Sequence, residues 1–518
     1  MIYTIVRDNV YFDSIFLMKA GRELKKAPGV RNAVLVMGTE VNKSVLKEVG
    51  ALTQKARDAG PGSLIISLDV GEAGEAKKAE ELFWQLTDSQ GSGPKEEAES
   101  FRTIEQAAAR HPESNLAVIS LPGEYAADEA FAALRAGLNV FLFSDNVPIE
   151  EEVRLKQYAA DHGLLVMGPG CGTAVIGGIS LGIMSKIRRG TIGIVGASGS
   201  GIQEVCVLID HMGRGVSEAI GTGGRDLSEQ VGGSTMLRGI DYLDHDPGTR
   251  VIVLISKPPH PAVGREIYER VKQVSKPVVI FFLGGSREEI EASGAFCAAD
   301  LEEAAVAAVT LDEGKIPPQR DFVADTVREL KAEALSEAEK KQPGQRYLRG
   351  LFCGGTHSEE AALLLNTIVP QLHSNLNFAG AIPLDDPRRS VGNSLVDMGD
   401  ETFTVGRPHP VIDPSILEER LIQEGTDPET AVLLFDLLLG YGIHEDPVGT
   451  VEAALGEIRE CQETAGRHIS LVCALCGTDS DPQGYEDQKR RLEALGVKVF
   501  LCNARAALYA GLIAAGKG

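Results

Sequence analysis

The feature that most constrains the fold is a regular alternation of short apolar segments with helical segments, which runs from residue 100 to about 315. LAVISLP, NVFLFSD and LLVMGPG read as strands, and helical patterns that end in glycine, such as DEAFAALRAG, lie between them. The same alternation continues through TIGIVGASGSG, RVIVLISKPP and KPVVIFFLGG. Strands that follow one another through helices favour a parallel sheet wound with helices. The sequence therefore predicts an α/β protein.

Changes in composition divide the 518 residues into units. Residues 1–95 predict a small α/β domain, and the Ser/Gly-rich stretch DSQGSGPKEEAES that ends it reads as a linker. Residues 96–187 and 188–315 carry the regular alternation. KIPPQRD then interrupts the pattern, and we interpret 316–345 as a connector. The alternation restarts in a last domain at 346–518.

Charge and composition exclude several classes of function. The net charge is −23, and a field of that sign repels nucleic-acid backbones and anionic lipids. No stretch reaches the ~18 uninterrupted apolar residues that a membrane helix needs, and the charged start does not resemble a signal peptide. The eight cysteines are scattered, which is typical of reduced thiols. We expect a cytoplasmic protein that binds neither nucleic acid nor membrane.

Two strand-to-glycine-turn-to-helix passages are the strongest functional signal. They contain Ser198, Gly199, Ser200 and Gly201 in the first half, and Gly354, Gly355 and Thr356 in the second. Glycine lets a ligand approach the backbone, and the first amides of a helix are unpaired donors at its positive end. Both turns are candidate phosphate-binding loops, although a turn needed only for packing would look the same. Neither is a Walker motif, and the spacing at 196–201 does not fit the dinucleotide fingerprint.

A family resemblance extends this interpretation. The segments LPGEYAADEAFAALRAGLNVF, MGPGCGTAVIGG, IGIVGASGSGIQE, GRGVSEAIGTGGRD and KPVVIFFLGG resemble, in order, the α subunit of succinyl-CoA synthetase, of the ADP-forming acyl-CoA synthetase superfamily. The whole chain, including VDMGDETFTVGRPHPVIDP, resembles the FdrA family of that superfamily. The resemblance implies a CoA-binding-like Rossmann domain at 96–187 and flavodoxin-like ligase domains at 188–315 and 346–518. The last of these is similar to the carboxy-terminal domain of the synthetase β subunit.

The resemblance also implies a site. In the synthetases, two helix N-termini, one from each subunit, face each other across a phosphohistidine. The matching turns here, 196–201 and 354–356, lie in one chain. The resemblance therefore implies a phosphate site between two domains.

Three departures from the synthetase pattern modify the expected chemistry. EASGAFCA places Ala292 where the phosphohistidine would stand, so the chain lacks the nucleophile that carries phosphate. Lys257 stands where the synthetases have a glutamate that orients this histidine, and an ammonium suits an anion that arrives already phosphorylated. The CoA loop Gly-x-Thr-Gly-x-x-Gly does not precede Phe101. We therefore expect no required cofactor, and the missing loop argues against CoA binding without deciding it.

These departures lead to the hypothesis of a transferase that uses an acyl phosphate supplied from outside. FdrA-type proteins are linked with oxamate carbamoyl transfer in allantoin breakdown, together with companion subunits, which implies carbamoyl phosphate and oxamate as ligands. We expect Lys257 to contribute charge to catalysis, and the chain to form a homo-oligomer. Two alternatives are an acyl-CoA synthetase of the succinate–CoA ligase type, and a non-catalytic scaffold subunit that binds the ligand while partners complete the site.

Two further segments are candidate substrate contacts. Gly170, Cys171 and Gly172 stand where the synthetases carry a Pro-Asn-Cys-Pro turn, and Cys171 is either a reactive thiol or part of a packed turn. In FTVGRPHPVIDP, Arg407 and His409 could bind a carboxylate such as that of oxamate, or belong to a rigid packing loop. The Cys-x-x-Cys pair at 473–476 lies in an apolar strand and is interpreted as core. No metal site is predicted.

Overall fold

The computed structural model describes residues 2–8, 10, 12, 14–89, 99–378, 380–404 and 408–516. The chain separates into two compact units, one of residues 1–100 with 404–408 and one of residues 101–403 with 409–518. No helix within these described ranges is long and apolar enough to cross a membrane.

The first unit is a small α/β domain, as predicted. Its antiparallel sheet has the order β1-β3-β2. The sheet and the helices pack around a separate core that contains Leu24 and Phe83. The strands are β1 (Ile2–Asp8), β2 (Val30–Met37) and β3 (Ser63–Val70). The helices are α1 (Ser14–Lys25), α2 (Glu40–Glu48), α3 (Gln54–Arg57) and α4 (Ala73–Ser89).

The second unit begins with a three-stranded parallel sheet of order β4-β5-β6. Alanines on one face of the second of its helices lie in a common core with the strands, which explains the alanine-rich helix pattern. The strands are β4 (Leu116–Ile119), β5 (Asn139–Leu142) and β6 (Val166–Met167). The helices are α5 (Ile104–Arg110), α6 (Gly123–Arg135) and α7 (Ile149–Asp161).

A seven-stranded sheet follows, with the order β13-β12-β11-β9-β10-β7-β8. Its first five strands are parallel, and β7 and β8 form an antiparallel hairpin at the other edge. The strands are β7 (Thr173–Ile176), β8 (Ile179–Gly182), β9 (Arg189–Gly196), β10 (Val216–Gly221), β11 (Val251–Ser256), β12 (Val278–Phe282) and β13 (Phe296–Cys297). The helices are α8 (Gly199–His211), α9 (Ser234–His245), α10 (Pro261–Val271), α11 (Arg287–Ala292) and α12 (Leu301–Asp312).

A second seven-stranded sheet, parallel throughout, has the order β16-β15-β17-β14-β18-β19-β20. Helix α13 (Phe322–Ala338) precedes it within the predicted connector. Its strands are β14 (Tyr347–Phe352), β15 (Leu372–Ser374), β16 (Ile382–Pro383), β17 (Asn393–Asp397), β18 (Thr430–Leu438), β19 (Ser470–Cys476) and β20 (Val497–Phe500). Its helices are α14 (Gly355–Leu365), α15 (Glu401–Thr404), α16 (Ser415–Thr426), α17 (Pro447–Ala465), α18 (Tyr485–Ala494) and α19 (Asn503–Ala515).

The two seven-stranded sheets share one hydrophobic core. Ile194 on β9 and Phe435 on β18 belong to the same buried cluster, which also contains Cys473 and Cys476. All eight cysteines are free, and the Cys-x-x-Cys pair is core, as predicted. Strands buried on both faces read as continuous apolar runs, which explains why their pattern identified them. The shared core fixes the carboxyl ends of β9 and β14 relative to each other.

A buried ion cluster attaches the three-stranded sheet to the first seven-stranded sheet. The Lys156 ammonium on α7 donates to Glu152 at 2.7 Å, to Asp226 at 2.8 Å and to the Thr222 carbonyl at 3.0 Å. A buried ammonium needs such partners, because an unpaired charge in the interior is costly. The cluster holds the loop after β10, which contains Gly223 and Gly224, against α7.

Candidate active site

The two predicted glycine turns meet at the carboxyl ends of β9 and β14. Ser198 caps α8, where its hydroxyl accepts a hydrogen bond from the Gly201 amide at 3.0 Å. The Ser198 hydroxyl also forms a 2.6 Å hydrogen bond with the Thr356 hydroxyl in the first turn of α14. The start of α8 thus contacts the start of α14.

This approach requires glycine at the turn that precedes α14. A side-chain β-carbon placed on Gly354 would lie 2.8 Å from the β-carbon of Ser200 and 2.9 Å from its hydroxyl oxygen. Real β-carbons do not approach other atoms so closely, so any larger residue at 354 would push the two helices apart. The glycine of the second turn is therefore explained by helix-to-helix contact as well as by access to the backbone.

A cavity of about 430 Å³ lies against both turns. Its lining includes most of the residues selected from the sequence: Gly170, Cys171, Gly172, Ser198, Gly199, Ser200, Lys257, Gly354, Gly355, Thr356 and His409. Gly201 lies beneath the lining as the donor to Ser198. Ala292 is the last residue of α11 and is not among the residues that line the cavity. Arg407 lies outside the described residues.

The backbone amides at the two turns differ in whether their N–H groups are available to bind an anion. The amides of Cys353 and Gly354 already donate to the Asp436 carboxylate, at 2.5 and 3.1 Å. The amides of Gly355 and Thr356, like those of Gly199 and Ser200, belong to the first turn of a helix and have no intrahelical acceptor. These four are the backbone donors that an anion in the cavity would find at the positive ends of two helices.

Lys257 supplies a side-chain cation beside the second turn. It directly follows β11, and its ammonium lies 3.9 Å from the position that a β-carbon on Gly355 would take. The ammonium donates to the Glu359 carboxylate on α14 at 2.7 Å, while the side chain remains 42% exposed. A half-exposed ammonium shared with one carboxylate can add a hydrogen bond to a bound phosphate.

We expect Lys257→Met to weaken phosphate binding roughly tenfold, because a charge-assisted hydrogen bond contributes about 1.5–3 kcal/mol and solvent screens part of it. The measurement is calorimetric titration with inorganic phosphate at low and high salt. Lys272→Met is the matched control, since Lys272 pairs with Glu269 on the surface of the same domain. Equal phosphate affinity in the Lys257 and Lys272 variants would remove Lys257 from the site.

A buried histidine that the sequence analysis did not select lies directly behind the second turn. His357 contacts Asp436 of β18 through Nδ1 at 2.8 Å and Glu204 of α8 through Nε2 at 2.9 Å. Burial lowers the pKa of His357, but the two carboxylates raise it more, to about 10. The Asn503 amide group donates to the His357 carbonyl at 2.9 Å, and its backbone amide donates to Glu204 at 2.9 Å. The resulting imidazolium joins α8, α14 and β18.

Two ionisable groups lie beside Gly399, on the α14 side of the cavity. Burial raises the pKa of Asp397 to about 7 and lowers the pKa of His409 to about 4. The His409 Nδ1 accepts from the Val411 amide at 3.4 Å, which leaves the proton on Nε2. His409 is therefore a neutral imidazole at neutral pH, and it offers a substrate one hydrogen bond rather than a positive charge.

Cys171 lines the cavity, but its environment does not favour a reactive thiolate. Burial raises the pKa of this thiol to about 12, and its sulfur donates weakly to the Thr173 carbonyl at 3.5 Å. The thiol is therefore protonated at neutral pH, which favours the packed-turn interpretation. Within the described ranges, no group of three or more His, Cys, Asp or Glu side chains is arranged to hold a metal ion.

Models of three protein families match separate parts of the chain: CoA-ligase at residues 351–513, CoA binding domain at 188–284, and "AllF, heavy metal-associated domain" at 1–102. The first 102 residues contain neither cysteine nor histidine. They therefore lack the thiolate and imidazole ligands that heavy metals prefer, and we assign no metal to this domain.

Several known proteins are similar to the chain. The uncharacterized protein YahF of Escherichia coli (strain K12) is 42% identical over 494 residues, 95% of each chain. The succinate–CoA ligase [ADP-forming] subunit alpha of Methanothermobacter thermautotrophicus is 31% identical over 33% of this chain and 58% of that subunit. The structure of ATP citrate lyase from Methanothrix soehngenii in complex with citrate and coenzyme A covers 47% of this chain and 46% of its own, with 18% identity and a TM-score of 0.37.

The full-length similarity to YahF, together with the matches to the CoA-ligase and CoA-binding models, determines the family. The chain belongs to the FdrA-like family that includes YahF, within the succinyl-CoA synthetase-like superfamily.

Proposed function

We propose that this ligase-like chain binds an acyl phosphate between the first turns of α8 and α14 and transfers its acyl group to an acceptor. Carbamoyl phosphate is the proposed acyl phosphate and oxamate the proposed acceptor. The chain would act as a cytoplasmic subunit together with companion proteins. The observation that supports the proposal is that the first turns of α8 and α14 contact each other and line one cavity. The resemblance to the synthetases adds that Ala292 stands in the sequence where their phosphohistidine would be.

The transfer needs little covalent help from the protein. In the direction that consumes carbamoyl phosphate, the amide nitrogen of the acceptor attacks the carbamoyl carbon and a C–N bond forms. The bond from that carbon to the bridging oxygen breaks, and the phosphate leaves with the proton lost by the nitrogen. The first-turn amides of α8 and α14, with Lys257, would stabilise the phosphate as its charge develops. Holding both substrates in one cavity would supply the remaining acceleration.

A CoA ligase is the second candidate, because the CoA-ligase and CoA-binding models both match the chain. That reaction would need a group that carries phosphate between sites, and Ala292 cannot do so. The two candidates differ in what the purified chain should bind. A transferase requires phosphate and carbamoyl phosphate to bind, and a CoA ligase requires CoA.

The test is a thermal-shift titration of the purified chain with inorganic phosphate, carbamoyl phosphate and CoA. A ligand that binds only the native state at a hundred times its Kd stabilises it by about 2.7 kcal/mol. We expect stabilisation by phosphate and carbamoyl phosphate and none by CoA. Stabilisation by CoA alone would replace the transferase with a ligase. A parallel assay of carbamoyl transfer to oxamate, with and without companion subunits, would distinguish a catalytic chain from a scaffold.

A further inference from the structure

The cavity is lined by two charged side chains of opposite sign. In the described part of the chain these are Lys257 and Asp145. The other ionisable lining groups are neutral at neutral pH, because burial lowers the pKa of His409 and raises the pKa of the Cys171 and Cys353 thiols. Lys257 lies beside the first turn of α14 and belongs to the proposed phosphate end. Asp145 lines the cavity together with Phe143, Gly170 and the loop after β10, which belong to the segments that follow β5, β6 and β10.

Asp145 lies against a glycine that leaves room for its carboxylate. The segment that follows β5 carries Asp145, and one carboxylate oxygen lies 2.5 Å from the position that a β-carbon on Gly170 would take. Gly170 has a φ of +65°, which disfavours any residue with a side chain. Position 170 must therefore stay glycine for the carboxylate to face the cavity.

Arg225, whose positive charge lowers the pKa of Asp145, already has other partners. Burial raises the pKa of Asp145, and the charge of Arg225 opposes this change. The Arg225 guanidinium lies 2.9 Å from the Glu152 carboxylate and donates to the Val147 carbonyl at 2.8 Å. Asp145 is therefore a solvent-exposed carboxylate on the cavity wall, and its neighbouring arginine is bound to other groups.

The short segment from Gly170 to Thr173 limits the distance between Asp145 and the first residue of α8. Gly170 contacts Asp145, and the Thr173 hydroxyl lies 3.2 Å from the position of a β-carbon on Gly199, the first residue of α8. Three residues of extended chain span at most about 11 Å. Asp145 and Gly199 also line the same cavity of about 430 Å³, which has room for two small substrates in contact.

We propose that Asp145 binds an N–H group of the acceptor, so that the site accepts a primary amide or amine and rejects a carboxylate at this position. The proposal rests on the function given above, with the acyl phosphate at the α8 and α14 end. An ionised carboxylate only accepts hydrogen bonds, so it attracts N–H donors and repels a second carboxylate. One N–H held by Asp145 turns the nitrogen lone pair toward the carbonyl carbon, and the proton released on C–N bond formation leaves on the departing phosphate.

The test compares oxamate with oxalate, in which a second carboxylate replaces the amide group of oxamate. Both are titrated by thermal shift in saturating phosphate, with the wild type, Asp145→Asn and Asp145→Ala. A hydrogen bond to a charged group corresponds to roughly a tenfold change or more in affinity. We expect the wild type to prefer oxamate at least tenfold, and both variants to reduce this preference to within about twofold of equal affinity.

Asp128→Asn is the matched control, because Asp128 is an exposed carboxylate on α6 of the same domain and its removal changes the net charge equally. This variant should keep the tenfold preference. A wild type without preference for oxamate would overturn the proposal, whether or not the Asp145 variants fold. An unchanged preference in folded Asp145 variants would overturn it as well.

The experiment also separates this proposal from the proposed function. If phosphate does not stabilise the wild type, the acyl-phosphate site itself is wrong. If phosphate stabilises the wild type and all three variants, while oxamate and oxalate bind equally, only the assignment of Asp145 is wrong.

Discussion

Gly199→Val is expected to abolish phosphate binding and turnover while leaving the fold intact. Gly199 is the first residue of α8 and is exposed to the cavity, where a valine side chain would cover the free amides of the first turn. The nearest atom to a β-carbon at this position is the Thr173 hydroxyl oxygen at 3.2 Å, so a small displacement accommodates the substitution. Losing two hydrogen bonds to a charged phosphate would reduce affinity more than a hundredfold.

The measurement is phosphate titration by calorimetry, with near-ultraviolet circular dichroism to confirm tertiary structure. Gly456→Val is the control, because Gly456 lies within α17 and has open space around it. The control should bind phosphate as the wild type does. Wild-type affinity in the folded Gly199 variant would remove this turn from the phosphate site.

His357→Ala is expected to destabilise the protein by about 3–5 kcal/mol, the usual effect of removing one partner of a buried charge pair. The substitution leaves the carboxylates of Glu204 and Asp436 buried without their shared cation. Because these side chains lie on α8 and β18, the loss should also separate the two helix starts and weaken phosphate binding. Urea unfolding followed by circular dichroism measures the free energy of unfolding directly.

The pH dependence of this effect has a definite sign. The pKa of His357 is raised from 6.5 to about 10 in the folded protein. The contribution of its positive charge to stability is therefore complete below pH 6.5 and is lost as the pH rises through about 10. The difference in unfolding free energy between wild type and His357→Ala should be largest at pH 6 and shrink steadily toward pH 10.

His162→Ala provides the comparison for His357, since His162 is an exposed histidine whose ring stacks on Tyr158. We expect its effect to stay within about 0.5 kcal/mol, as is usual for surface substitutions. If the two histidine variants unfold at the same urea concentration, the imidazolium does not join the three elements.

The glycine turns could be predicted because each is a local signal. An apolar strand followed by glycine and a helical pattern forces a turn at that point, and the first-turn amides follow from helix geometry alone. The alternation of strands and helices predicted the α/β class for a similar reason, because buried strands must be apolar along their whole length. The resemblance to FdrA-type proteins identified the family, which the similarity to YahF supports.

The role of His357 could not be predicted in this way. Its two carboxylate partners are separated from it by about 150 and 80 residues of chain, and each lies in an ordinary helix or strand pattern. GTHSEEA carried a histidine next to a selected turn, but nothing in the segment indicated whether the ring was buried or paired. The role of Asp145 could not be predicted either, because nothing in the strand end FSD indicates that Gly170 lies against its carboxylate.

The sequence by itself determined the secondary structure pattern, the glycine turns and the absence of a histidine at 292, because each depends on residues that are neighbours in the chain. Only the tertiary structure decided that Ser198 meets Thr356, that His357 is an imidazolium and that Lys257 and Asp145 line one cavity. These properties depend on burial and on distances between residues far apart in sequence. Such distances are fixed when the two seven-stranded sheets pack around a common core.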